Sequence, residues 1–106
     1  MATSPDFIEF ICGQLSSDIE LSYRKMFGEY MVYANGKPVL LVCDNTVYVK
    51  KLDAIDELMK GSEIGVPYGG AKEHYILDIE NRNLSLAVLK VLEAVTPLPK
   101  KKKKQT

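Results

Sequence analysis

A chain of 106 residues with 46% hydrophobic and 26% charged residues has the balance of an ordinary globular domain, with room for one two-layer core and no second regulatory domain. No run approaches the ~18 consecutive apolar residues that a membrane span needs, and the first ten residues lack the basic start and apolar block of a secretory signal, so a cytoplasmic protein with no membrane partner is expected. The formal net charge of zero hides an asymmetry: Lys100, Lys101, Lys102, Lys103 and Lys104 sit at the end, leaving residues 1–99 with nine basic against fourteen acidic groups, a net of minus five.

Ser4-Pro5 is a helix start, the serine oxygen capping free amides and the proline losing no needed donor. Phe7, Ile8, Ile11 and Leu15, widened by Phe10, form an apolar stripe opposite Asp6, Glu9 and Gln14, and Ser16, Ser17 and Asp18 end the helix in residues that favour local hydrogen bonds. A strand over 21–27, a separating Gly28 and a strand over 29–34 follow. Asn35-Gly36 is a strong hairpin signal because both residues tolerate positive φ; a strand over 37–43, a weaker Asp44-Asn45 turn and a strand over 46–51 complete a four-stranded meander.

The third strand is apolar at Val39, Leu40, Leu41 and Val42 without alternation, so it is central or covered on its second face. In the second strand Tyr30 and Val32 share one side, Met31 and Tyr33 the other. With few helices to cover one face, a partly apolar second face is left for a partner or a second copy.

Asp53 caps a short helix over 54–60 with Ile55, Leu58 and Met59 inward, and Gly61 ends it. Gly65, Pro67, Gly69 and Gly70 make 62–73 an irregular loop. A fifth strand spans 74–79, and Asn81 or Asn83 caps the last helix, which is apolar at Leu84, Ala87, Val88, Val91, Leu92 and Val95 and polar at Ser85, Lys90 and Glu93. Pro97 and Pro99 stop it. The expectation is an α+β, two-layer domain over 1–96, with a mostly antiparallel sheet of about five strands, a four-strand meander plus one, and N-terminal, middle and C-terminal helices. Residues 97–106 are expected to be a disordered basic tail.

Chemistry-bearing residues are sparse. Cys12 and Cys43 lie far apart in apolar runs and read as reduced, buried thiols rather than a disulfide or metal pair. His74 is the single histidine, placed beside the glycine loop at the mouth of a strand. With no GxSxG, HExxH or spaced ligand set, a structural role is favoured and neither catalysis nor a cofactor is expected. Asp53/Asp56 and Asp78/Glu80 fit a cap and a strand edge. The stretch from Gly65 to Lys72 superficially suggests a phosphate loop, but Lys72 does not directly follow Gly70, Glu73 stands where Ser or Thr is required, and a strand follows. A shaped surface loop, with Tyr68, Lys72 and His74 available to a ligand or partner, is the better account. Lys25-Met26-Phe27-Gly28 echoes an aromatic RNA-binding strand, yet Glu29 and Tyr30 break the pattern and four consecutive strands are the wrong order.

Arg24 to Tyr30, Tyr33, Asn35-Gly36-Lys37-Pro38, Leu41 to Asn45 and Val47 to Lys50, with Pro67 to Lys72, resemble the N-terminal domain of the TfoX/Sxy family of bacterial competence regulators in its stand-alone form, over roughly residues 5–96. The resemblance implies an α+β domain with a mostly antiparallel sheet, a bacterial source and a link to transcriptional or competence regulation, although the chain ends before the C-terminal helical domain of full-length members. It supplies no catalytic residues; Met26, Phe27, Gly28 and Tyr30 read as fold signature. The leading expectation is a non-enzymatic regulatory or protein-interaction domain with a protein partner or a homodimer, its surface drawn from Tyr30, Tyr33, Tyr68, Lys72 and His74. Weak, non-specific nucleic-acid binding through Lys100–Lys104 is the alternative, as is small-ligand binding at the 65–74 loop.

Overall fold

The computed structural model describes residues 3–26, 29–67 and 69–97; Phe27, Gly28, Tyr68 and the lysine tail, all singled out above, lie outside the described residues. Helix α1 (Pro5–Gln14) begins as its sequence dictates, with the Ser4 Oγ accepting from the Phe7 amide at 3.2 Å and proline in the first turn. Strands β1 (Leu21–Met26), β2 (Glu29–Ala34), β3 (Lys37–Cys43) and β4 (Thr46–Lys50) form the antiparallel meander. Both of its inner turns use left-handed backbone: Asn35 and Gly36 at φ 51° and 83°, Asp44 and Asn45 at φ 52° and 57°, the geometry that matches the strands' own twist.

Beyond the meander, β5 (Ile64–Gly65) and β6 (His74–Leu77) add to the far edge, so the sheet has six strands in the order β1-β2-β3-β4-β6-β5, and helix α2 (Arg82–Val95) closes the chain. The fold is α+β, with a six-stranded antiparallel sheet and two α-helices among the described residues. Between β4 and β6 the expectations are corrected. The middle helix is only a 3₁₀ turn at Asp53–Ile55 followed by irregular turns, preceded by Leu52 with no side-chain cap, since the span is too short to propagate a helix unaided. Its Ile55 and Met59 are buried but Leu58 is 36% exposed. The 62–73 stretch, expected to be wholly irregular, contributes β5, because two residues beside an exposed strand edge suffice to pair.

A register shift explains the unalternating third strand. Val32 pairs with Leu40 and Tyr33 with Pro38, leaving Val39 as an extra residue. The bulge turns Val39 and Leu40 both toward the core and tolerates Pro38 inside the sheet, where a regular ladder would miss its amide. Beyond it Leu41 is half-buried and Val42 fully buried, and Cys43 at the strand end is buried as well.

Both helices lie on one face. Ile8, Ile11 and Leu15 of the first helical segment and Val88, Leu89 and Leu92 of α2 join Tyr30, Val32, Leu40, Val42, Val47, Val49 and Leu77 in one buried cluster. Ser85, expected on the polar side of α2, is fully buried and donates from Oγ to the Asp78 carbonyl at 3.2 Å, whereas Val95 is half exposed at the helix end. The caps are shared between elements: the Asn81 Oδ1 accepts from the Leu84 amide at 3.2 Å, and the Arg82 guanidinium donates to the carbonyls of Gln14 and Ser16 at the end of α1. At the other end of α2, the Lys37 ammonium donates to the Glu93 carbonyl at 2.8 Å and to its carboxylate at 3.2 Å, a cation where the helix dipole favours one.

Candidate functional site

Cross-strand partners share a face of a sheet and successive residues alternate between faces, so the pairing assigns every strand residue to a side. Opposite the helices stand Arg24 of β1, Met31 and Tyr33 of β2, Leu41 of β3, Tyr48 and Lys50 of β4, Gly65 of β5, and His74 and Ile76 of β6. Met31, Tyr33, Leu41, Tyr48 and Ile76 are each half-buried, yet none belongs to the helix-side core or packs against it. They bury one another along the pairs Met31–Leu41, Leu41–Tyr48 and Tyr48–Ile76, giving a continuous apolar strip across four strands that neither α1 nor α2 covers.

Gly65 lets that strip close up at its edge. A β-carbon there would sit 3.1 Å from Ile76 Cδ1 and 3.3 Å from Tyr48 Cε1, tighter than ordinary van der Waals contact. The neighbouring His74 ring stands edge-on to Tyr48, at 6.4 Å and 89°, and its Nδ1 lies 2.8 Å from the Lys72 carbonyl. Because a carbonyl only accepts, Nδ1 carries the proton in this pair, leaving Nε2 as the ring's free pole.

The strip ends in a cleft of about 250 Å³ between the end of β4 and the start of β6, lined by Lys50, Lys51, Leu52, Lys72, Glu73 and His74. Lys51 bonds Glu73 at 3.5 Å and lies 5.8 Å above the Tyr75 ring. Tyr75 in turn donates its hydroxyl to Asp56 at 2.6 Å, and that hydrogen bond holds the phenol above the usual tyrosine range. A larger, shallower depression of about 500 Å³ lies between the loop after α1 and α2, but its Arg82 is already committed to backbone carbonyls.

The expected surface residues separate. Tyr33, Lys72 and His74 fall on the open face or its rim; Tyr30 does not. It is 5% exposed, part of the core and edge-on to Tyr23 at 5.6 Å, because alternation places it with Val32 beneath the helices. Sequence reasoning included Leu41 in a third strand apolar on both sides, but took Tyr48, Ile76 and Lys50 as ordinary strand residues. Lys50 meets His74 only because β4 pairs with β6, a partnership that no local pattern announces.

Cys12 and Cys43 are free thiols. Burial, with the Glu29 carboxylate nearby, pushes Cys43 up to about 12, the setting of an inert structural thiol. Among the described residues no three His, Cys, Asp or Glu side chains gather as a metal site, and no helix is long and apolar enough to cross a membrane.

No protein-family model matches the chain, and no solved structure matches it. Among curated proteins it is 35% identical, over 108 residues, to an uncharacterized 12.7 kDa protein in the trpE 5' region of Spirochaeta aurantia, with all of this chain and 94% of that relative covered. With that identity running along the whole of both sequences, the chain belongs to the family of the Spirochaeta aurantia 12.7 kDa protein.

Proposed function

We propose that this protein is a non-enzymatic interaction module of the TfoX N-terminal type, which binds another protein chain through the sheet face opposite its helices. The observation that carries the reading is the strip Met31, Tyr33, Leu41, Tyr48 and Ile76, half-buried and outside the core. Tyrosine and methionine are the side chains that interfaces concentrate, large enough to bury area and, for methionine, soft enough to adapt. Arg24, Lys50 and His74 supply a polar rim. A regulatory role, in the sense implied by the resemblance to competence regulators, follows from such a module having a partner rather than a substrate.

The test is association measured with and without the strip. Sedimentation over a wide concentration range, together with pull-down from the native extract, is expected to show either self-association or one stoichiometric partner for the wild type. Tyr33→Glu and Leu41→Glu should abolish it, while Glu57→Lys, on the 3₁₀ side, should not. A wild-type protein that stays monomeric at high concentration and recovers no partner would end this reading.

A further inference from the structure

We infer that the cleft between residues 50–52 and 72–74 is an anion site that takes a phosphomonoester group on a small molecule. Residues 1–99 carry a net charge of minus five, with only nine basic side chains, yet three of those nine, Lys50, Lys51 and Lys72, line this one cleft against a single acid, Glu73. Glu73 is bonded to Lys51 at 3.5 Å, and among the described residues Lys50 and Lys72 have no carboxylate partner. An acidic domain that gathers unneutralised ammonium groups in one concavity keeps a local charge of plus two there, which repels itself until an anion enters.

The imidazole completes the lining. Its Nδ1 is held by the Lys72 carbonyl at 2.8 Å and its ring stands perpendicular to that of Tyr48, so the loop bearing Lys72 and the strand bearing His74 are fixed to each other. Lys50 is the cross-strand partner of His74, which brings it to the same side of the sheet. The residues that line the cleft thus come from β4, from the loop and from β6, and the two ammonium groups that meet the anion come from β4 and the loop.

The ligand class follows from charge and size. A phosphomonoester carries close to two negative charges at neutral pH and three strong acceptor oxygens, matching two free ammonium groups; a carboxylate or a phosphodiester offers one charge. At about 250 Å³ the cleft falls below the roughly 300–1,000 Å³ of sites that enclose a whole drug-sized ligand, so it grips a headgroup and leaves the remainder outside. Recognition here uses ammonium side chains rather than the glycine amides of a phosphate loop, and it holds whether or not the open face has a protein partner.

The experiment is a ¹H–¹⁵N titration of the full chain at constant ionic strength with glycerol 3-phosphate, inorganic phosphate and a short single-stranded DNA. Saturable shifts centred on Lys50, Lys72 and His74 are expected with the two phosphates. The Lys50→Glu/Lys72→Glu pair should weaken that binding by at least about tenfold, and Lys90→Glu, on α2, should not. Lys72→Gln, a loop change that leaves β4 intact, should weaken it in the same direction and guards against misfolding of the double variant. No saturable shift with either phosphate, unchanged affinity in the double variant, or a response to the DNA strand alone would overturn the assignment.

Discussion

Val49 and Tyr48 are adjacent in β4, and the pairing puts them on opposite faces, so a pair of substitutions reads the two faces separately. Val49 is 1% exposed within the helix-side cluster, and Val49→Ala removes two methyl groups. At about 0.8 kcal/mol for each, with a further contribution from the cavity left behind, the loss is about 2–3 kcal/mol. With a urea slope of about 1.5 kcal/mol/M this lowers the unfolding midpoint by about 1.5 M. Tyr48→Thr replaces an aromatic strand former by a β-branched one and loses only half-buried contacts with Leu41, Ile76 and His74, so it should cost less than about 1 kcal/mol while removing most of the association measured by sedimentation. Urea unfolding followed by circular dichroism, with the slope unchanged, is the assay. If Tyr48→Thr destabilises as much as Val49→Ala, or if Val49→Ala is neutral, the assignment of faces is wrong and with it the open strip.

Other expectations follow from single groups. Asn81→Ala removes the acceptor for the Leu84 amide and should cost about 1 kcal/mol, with Asn81→Asp restoring it; an unchanged urea midpoint for the alanine variant would deny the cap. The Glu93 carboxyl is held below the usual glutamate range by hydrogen bonds from Asn35 and Lys37. Its folded pKa being the lower one, the stability it contributes is present above about pH 4.3 and is lost as acid carries the pH down through the folded value. Glu93→Gln should therefore lose stability relative to wild type at neutral pH and converge with it in acid, and parallel pH curves would contradict this. Cys43, buried and pushed up to about 12, should resist iodoacetamide at pH 8 in the native protein and react once urea unfolds it; mass-spectrometric labelling that finds Cys43 modified at the rate of a free thiol would refute its burial.

Much of the fold was legible because its signals are local. Ser4-Pro5 and Asn81 begin helices through hydrogen bonds to amides three residues on, and Asn35-Gly36 turns the chain because those two residues accept positive φ cheaply. The six-strand count was not legible: β5 is two residues long and has no periodicity of its own. The middle helix was overestimated because Ile55 and Met59 are at helical spacing, whereas Leu58 completes no buried stripe. The resemblance block around Met26, Phe27 and Gly28 is the part of the expectation that lies outside the described residues on its glycine side.

By itself the sequence determined an α+β chain with a four-strand meander, helix caps, two hairpin turns and an acidic domain joined to a basic end, all properties that depend on neighbours a few residues apart. Only the tertiary structure decided which half of each strand faces water. The bulge at Val39 shifts the alternation of β3, Tyr30 goes under the helices while Tyr33 stays out, and the pairing of β4 with β6 carries Lys50 to His74. Those outcomes are set by pairing between segments distant in the chain, where one residue of register exchanges the two faces and where charges gather by folding rather than by spacing.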